Sequence, residues 1–498
     1  MRHLQRNLPL LRCTTAAAAV AAVLCSLAPA ASAAERQAAP VGSSAAPTAD
    51  APFVTQPTLV APGLTTTTTG EVSDELILAT PGNSGTGGGD LAIYDNSGQL
   101  IWTRAATGGG MYYDFEPVTF RGQPALATFQ VASFGGTGTR CVILDTSYNE
   151  IATLTMQGNY PLDPHDVEFS PDGDRVLLQS YSTATYNLSP YGGPANATIM
   201  NPVIQEIDLN TNQVTFQWSA IENIPVTETT ESLTGGFGFF DLYHTNSLEY
   251  DTDGDILVSA RNTSTVYKID IDTGDIIWRF GGENNDFTFN GGSAAMPSYQ
   301  HDARRLPDGS LSVFDNGNAH SPATSRGTVY DIDEQAMTAT LVEDMRPTSP
   351  LFGMYVGNNR LLDNGNFLVS YGNTGQFEEY RDGQRVFTGR FDQGYVTYRT
   401  ERAEWEATPS VPPDVVVDQS ADDGSSSVYV SWNGATEVER WRIEAGPSRG
   451  ELTELATVDK TGFETAARVA APDDDTVYRV TALDASGEPL GEPRILTP

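Results

Sequence analysis

The chain reads as all-β, a six-bladed β-propeller followed by a small fibronectin type III-like β-sandwich, and three features of its 498 residues lead there. A hairpin of the form strand, aspartate, turn, strand recurs six times. A second hairpin type, with Asp-Gly or Asn-Gly turns, falls between the copies. No segment between residues 70 and 405 carries an apolar period long enough for a helix.

The first hairpin type runs through 91–102, 141–154, 203–218, 266–280, 329–342 and 377–391. Its markers Asp95, Asp145, Asp208, Asp270, Asp331 and Tyr380 lie 49 to 63 residues apart, which leaves room for four strands with their loops. The second type is clearest at 165–182, 244–262, 300–318 and 356–373. Its turn pairs suit a tight two-residue loop, in which both central residues take positive φ. Two hairpins per unit make a four-stranded blade, and six blades close a ring with little exposed edge.

Composition sets the boundaries of this body. Residues 1–33 join Arg2, Arg6 and Arg12 to the apolar run Ala16 to Leu27 and end on Ala31-Ser32-Ala33. That is the pattern of a secretory signal peptide cut after Ala33, and it predicts a secreted protein. Residues 34–69, rich in Ala, Pro, Ser and Thr, read as a flexible leader, although 53–64 is apolar enough to lie along a folded surface. The propeller is expected over 70–405 and a linker over 406–412. Residues 413–498 form the sandwich, with strand patterns at 428–434, 438–446 and 476–491, core candidates Trp432 and Trp441, and Tyr478 at the place of a corner tyrosine.

Acidic residues number 64 against 28 basic ones, a net charge of −36. Such a surface repels nucleic acid phosphates and anionic membranes, and no later segment is apolar for long enough to span a bilayer. Of three cysteines, Cys13 and Cys25 leave with the signal, so Cys141 has no partner for an intrachain disulfide. An anionic substrate would need a local positive site against the global field, which makes the scarce cationic and imidazole side chains informative.

Four histidines remain after the signal: His165, His244, His301 and His320. Three of them open the second hairpin type, ahead of the turns Asp172-Gly173, Asp253-Gly254 and Asp308-Gly309. Equivalent positions in successive blades face one end of the channel, so His165, His244 and His301 are expected to converge. Any one of them alone reads as a half-buried structural side chain; three in register point to a functional cluster. Asn246 lies on the same strand face as His244, and Arg261 ends the returning strand. Imidazole, amide and guanidinium at one mouth make a donor-rich pocket for a tetrahedral oxyanion. Arg261 could instead serve as a structural ion pair. Asn318 and His320 stand at the corresponding end of the next hairpin as candidate substrate contacts, beside Asn316, though asparagines there are often turn formers. A three-histidine metal site stays open as the lesser option, the spacings of 79 and 57 residues being unlike those of compact metal motifs. There is no Gly-x-Ser-x-Gly elbow and no phosphate-binding Walker loop, and GTGGGD at 85–90 is a glycine-rich loop without a following lysine or helix.

The segments PHDVEFSPDGD, DLYHTNSLEYDTDGDILVSARNTSTVYKID, IIWRFGG and QHDARRLPDGSLSVFDNGN resemble the arylsulfotransferase (ASST) family, in its actinobacterial and fungal branch, over about residues 53 to 405. The most specific piece is His-x-Asn-Ser followed by an arginine one hairpin later. The resemblance implies a six-bladed propeller that moves a sulfuryl group from a phenolic sulfate ester to a phenol, with no nucleotide donor, cofactor or metal. It implies that His301 is the histidine that becomes sulfated, that His244, Asn246 and Arg261 hold the sulfuryl oxygens, and that His165 completes the pocket. His244 lies nine residues before its turn aspartate whereas His165 and His301 lie seven before theirs. Either a two-residue bulge restores the register or Asn246 takes the matching place. Two other readings remain: a non-catalytic propeller that binds a ligand or partner, and a metal-dependent hydrolase or lyase on the same scaffold.

Overall fold

The computed structural model of the chain describes residues 53–497, apart from 84, 86, 133–137, 235–238, 420–424 and 471–475. The expected signal segment 1–33 and the leader as far as residue 52 lie outside the described residues. The described chain is all-β, its eight sheets joined by turns, short 3-10 segments and one four-residue helix, Ala220–Asn223. No described helix is long and apolar enough to cross a membrane.

Six sheets come from residues 64–403. Five each contain four consecutive strands laid down in chain order, led by a strand labelled here β1 (Met111–Phe120), β2 (Val167–Phe169), β3 (Thr245–Tyr250), β4 (His301–Arg305) or β5 (Asn358–Leu361), and three of these gain a further strand: Phe239–Asp241, Thr288–Asn290 and Leu64–Thr68. The remaining sheet is composite. Its leading strand β6 (Thr400–Ala403) arrives from the end of the region and pairs with Leu76–Ala79, followed by Leu91–Tyr94 and Leu100–Arg104. The late strand thus fastens the two ends of the region together.

Alternation along each strand sends apolar side chains to both faces of every sheet, and this fills the space between neighbours. Leu178 packs with Phe129 and Ile143 of the preceding sheet, while the adjacent Leu177 packs with Val258 and Tyr267 of the following one. Further clusters join Trp278 to Tyr330, Phe314 to Tyr371, Phe377 to Tyr94, and Trp102 to Leu126, so each sheet shares a core with the one before and the one after. The leading strands follow the same cycle. β1 packs on β2, β2 on β3, β3 on β4, β4 on β5, and β6 on β1. Asn358 and Thr400 exchange hydrogen bonds of 2.7 and 3.2 Å between β5 and β6.

The leading strands carry a repeated hydrogen bond that fixes their mutual register. Asp166 accepts from the Leu248 amide at 2.7 Å, Ser247 from Ala303 at 3.0 Å and Asp302 from Asn359 at 3.0 Å. Positions 166, 247, 302 and 358 are therefore equivalent. Charged side chains stand at these positions or two residues on: Asp114 and Glu116, Asp166 and Glu168, Glu249, Asp302 and Arg304, Arg360, Arg399 and Glu401. Arg399 donates to Asp114 at 2.9 Å and Asp166 at 2.6 Å, Arg304 to Asp166 at 3.0 Å, and Arg360 lies 3.1 Å from Asp302.

Carboxylates outnumber guanidiniums in this buried array, and their ionisation is correspondingly opposed. Burial raises Asp114 to about 6, and Glu168 and Glu401 each to about 7, against the pull of the arginines. These folded values exceed those of the unfolded chain, so the folded state holds more protons between pH ~4 and ~7. The stability they contribute is complete below that window and is lost as pH rises through the folded values. The melting temperature is expected to fall between pH ~5 and ~7.5 in calorimetry; a flat or rising profile over that window would contradict the assignment.

Two segments are more ordered than their composition suggests. Where the leader reads as flexible to Thr69, Leu64–Thr68 adds to the outer edge of the last sheet, antiparallel to Gln384–Phe391. An exposed edge offers unpaired backbone groups, and a threonine run has the β propensity to meet them. Phe53 packs on Phe463 with centroids 4.5 Å apart, and the Thr55 amide donates to Glu464 at 2.7 Å. The stretch 406–412, which reads as a linker, is pinned: Ala407 is buried and its amide donates to Thr436 at 2.8 Å. Residues 414–496 form the other two sheets, Asp414–Asp418 with Ser425–Ser431 and Glu464–Ala470, and Thr453–Asp459 with Arg440–Gly446, Val477–Leu483 and Pro489–Leu496. Val428 and Val430 of one sheet share a core with Ile443 and Val480 of the other, capped by Trp432, Trp441 and Tyr478. Tyr148 donates to the Gly434 carbonyl at 2.9 Å, which ties this unit to the first.

Candidate functional site

The histidines stand where the leading strands begin. His301 opens β4 and is 2% exposed. Its Nδ1 lies 2.7 Å from Asn316 Oδ1, and the Asn316 amide nitrogen donates to the Gly353 and Val356 carbonyls at 2.7 and 3.1 Å. That amide orientation leaves Oδ1 as the acceptor, so Nδ1 carries the ring proton and Nε2 the lone pair. The Val356 amide donates to Nε2 at 3.2 Å. Burial, and then the Arg261 guanidinium, hold the His301 pKa well below the ordinary value, with His244 and His165 adding to the effect. The ring is neutral at physiological pH.

His165 precedes β2 and is held from the side. Its Nδ1 lies 2.6 Å from Asp163 Oδ1, which also accepts from Gln179 at 3.1 Å. Burial opposes charging of this ring, but the Asp163 carboxylate outweighs it and raises the pKa. The ring stacks on Tyr181 with centroids 5.2 Å apart and meets the His244 ring edge-on at 5.0 Å. His244 has its Nδ1 2.5 Å from Asp241 Oδ2 and takes φ of +53°, unusual for a residue with a Cβ.

The left-handed turn at His244 and a bulge between Thr245 and Ser247 settle the register left open by the sequence. Since Ser247 is equivalent to Asp166 and Asp302, Asn246 occupies the place of His165 and His301, and His244 reaches the cluster from two residues earlier. Asn246 donates to the Gln300 carbonyl at 2.8 Å, and its Oδ1 is buried without a partner. Tyr398, just ahead of β6, donates to the His165 carbonyl at 2.8 Å.

Arg261 follows the strand Ile256–Ala260. Its guanidinium lies over the Tyr299 ring at 4.7 Å, donates to Asn262 Oδ1 at 2.7 Å and to the Met354 carbonyl at 3.2 Å, and keeps a buried Nε without a partner. Among the described residues it makes no salt bridge, and Glu231 and Asp241 act on its charge. Asn318 donates to the same Met354 carbonyl at 3.1 Å, and its Oδ1 is likewise buried and unpartnered. The segment from Gly353 to Val356 therefore lies across the site, with Met354 against Arg261 and Asn318 and Val356 against His301. His320 is held elsewhere: its Nε2 lies 2.7 Å from Asp315 Oδ2, the oxygen that also accepts from Arg326 at 2.8 Å. The register of the sequence cannot distinguish that ion-paired place from the cluster.

Among the described residues, the carboxylates Asp114, Glu116 and Asp166 are the group whose ligand atoms approach within 4.8 Å of one another. Arg399 bridges Asp114 and Asp166, so a guanidinium already supplies the positive charge there. His165, His244 and His301 each spend Nδ1 on a carboxylate or amide oxygen. Asp163 and Asp241 were not singled out from sequence; their signal is proximity, two and three residues ahead of His165 and His244.

No curated protein sequence matches the chain. A solved structure described as a protein of unknown function from Bacteroides caccae is similar over 67% of this chain and 100% of its own, at 12% identity and a TM-score of 0.42. A streptogramin B lyase structure is similar over 74% of this chain and 94% of its own, at 8% identity and a TM-score of 0.33. A family model described as arylsulfotransferase (ASST) matches residues 116–392, a span that holds His165, His244, Asn246, Arg261, His301, Asn318 and His320. With more than half of its length matched, the chain belongs to the arylsulfotransferase (ASST) family.

Proposed function

We propose that the chain is a secreted, nucleotide-independent aryl sulfotransferase, built as a six-bladed propeller with a fibronectin type III-like sandwich, that works through a sulfohistidine at His301. The cyclic packing of six sheets supports the propeller, and the two facing sheets of 414–496 support the sandwich. The observation that carries the chemistry is a buried, neutral His301 whose Nε2 holds the lone pair, under the influence of the Arg261 guanidinium, which makes no salt bridge among the described residues.

In this reading Nε2 attacks sulfur in line with the aryl oxygen. The S–N bond forms as the S–O bond to the ring breaks, and the departing phenolate takes a proton from His165 or His244. A phenolic acceptor then returns a proton to the same histidine as its oxygen attacks sulfur, and the N–S electrons go back to Nε2. Arg261 and Asn318 exchange the Met354 carbonyl for sulfuryl oxygens, a remaining Asn246 amide N–H joins them, and the Val356 amide turns from Nε2 to the oxyanion. Losing one such donor raises the barrier by about 3 kcal/mol.

The test is turnover of p-nitrophenyl sulfate by the mature protein, with and without a phenol acceptor, together with intact mass of quenched enzyme. Acceptor-dependent nitrophenol release and an added sulfuryl mass are expected. Absence of both across several aryl sulfates would favour a ligand-binding propeller.

A further inference from the structure

The site holds two histidine–aspartate pairs where one proton shuttle suffices. Resting on the sulfuryl-transfer reading, we propose that Asp163 is the positioning residue that makes His165, and not His244, the proton donor to the departing phenolate. The pairs differ in how firmly the carboxylate is fixed. Asp163 Oδ1 takes the His165 ring nitrogen at 2.6 Å, the His165 amide at 3.1 Å and Gln179 at 3.1 Å, and its side chain is 8% exposed. Asp241 takes the His244 ring through Oδ2, leaves Oδ1 buried without a partner, and has a side chain 22% exposed.

The His165 ring is fixed as well. It stacks on Tyr181 at an interplanar angle of 25°, and its carbonyl accepts from Tyr398 at 2.8 Å. With Nδ1 bonded to Asp163, the other nitrogen is the one that can give or take a proton. The rings of His165 and His244 are 5.0 Å apart, so two positive charges there would repel in a site of low dielectric. One proton is shared between them, and it resides on the ring with the better-held carboxylate. The raised pKa of His165 agrees, although burial opposes it.

Proton balance follows from this arrangement. As the S–O bond breaks, the proton on His165 Nε2 passes to the phenolate oxygen; His165 is then neutral and accepts the phenolic proton of the acceptor in the second half. His244 keeps its single ring proton on Nδ1, toward Asp241, throughout, so its Nε2 has no proton to give the phenolate.

The measurement is the rate of sulfohistidine formation by wild type, Asp163→Asn and Asp241→Asn across a series of aryl sulfates of rising leaving-group basicity. For Asp163→Asn the loss is expected to grow along the series, from under ~10-fold with p-nitrophenyl sulfate to on the order of 100-fold with unsubstituted phenyl sulfate. For Asp241→Asn a loss that is even along the series is expected. An even loss in Asp163→Asn, or a growing one in Asp241→Asn, overturns the assignment while leaving the sulfuryl-transfer reading intact. Circular dichroism of both variants separates misfolding from the effect, because a partly unfolded sample lowers every rate by the same factor. A wild type that forms no adduct with any member of the series overturns both proposals.

Discussion

His301→Ala is expected to lower kcat for sulfuryl transfer by on the order of a thousandfold or more and to abolish the sulfuryl adduct. The reason lies in what remains. Arg261 still lies over Tyr299 with an unpartnered Nε, and Asn246 and Asn318 keep their places, so binding of the sulfate group, and with it KM, changes little. What disappears is the ring that burial and neighbouring charge keep neutral, with its lone pair on Nε2. His165 cannot substitute, because Asp163 favours its charged form, which has no lone pair to offer. Single-turnover kinetics with intact mass detection decides the matter. If His301→Ala retains an adduct and more than about a tenth of the wild-type rate, the nucleophile is another residue.

How much of this could be read beforehand depended on whether the signal was local. The hairpins were legible because Asp-Gly and Asn-Gly pairs mark turns, although the turns are not the two-residue form expected: Gly254 and Gly309 take positive φ while Asp253 and Asp308 do not, and three residues separate the bonded pairs Asp251–Asp255 and Leu306–Ser310. The histidines were legible because they are scarce and recur in register. Asp163 and Asp241 were not, since 64 acidic residues give any histidine a carboxylate close by in sequence. Whether His244 or Asn246 stands in the repeat position turned on a bulge, a backbone detail that spacing alone leaves in two forms. His320 stands at the corresponding end of its hairpin, but its ring is held by Asp315, the carboxylate it shares with Arg326. The charges along the leading strands were hidden for a different reason. Asp114 and Glu116, or Asp166 and Glu168, alternate as residues of a strand with one wet face do, and burial alone distinguishes them.

Arg399→Met is expected to destabilise the fold by about 3–5 kcal/mol, measured by denaturant unfolding near neutral pH. Methionine replaces much of the aliphatic volume, so the loss is electrostatic and polar. The guanidinium side chain is 1% exposed and bridges Asp114 and Asp166, both wholly buried, while Nη2 donates to the Asn246 carbonyl at 3.0 Å. Without it two carboxylates face each other in a dry interior, where Arg304 and the Leu248 amide still serve Asp166. Protonation is the cheapest relief. The variant should therefore recover part of its stability as pH falls below neutral, and more steeply than wild type, because Asp114 loses the principal cation holding its pKa down. The same substitution releases the backbone of Asn246, which stands in register with His165 and His301. Activity should thus fall further than the folded fraction accounts for, since the charges along the leading strands and the histidines at their start share one anchor. A variant as stable as wild type at neutral pH would mean that the array holds together without its central cation.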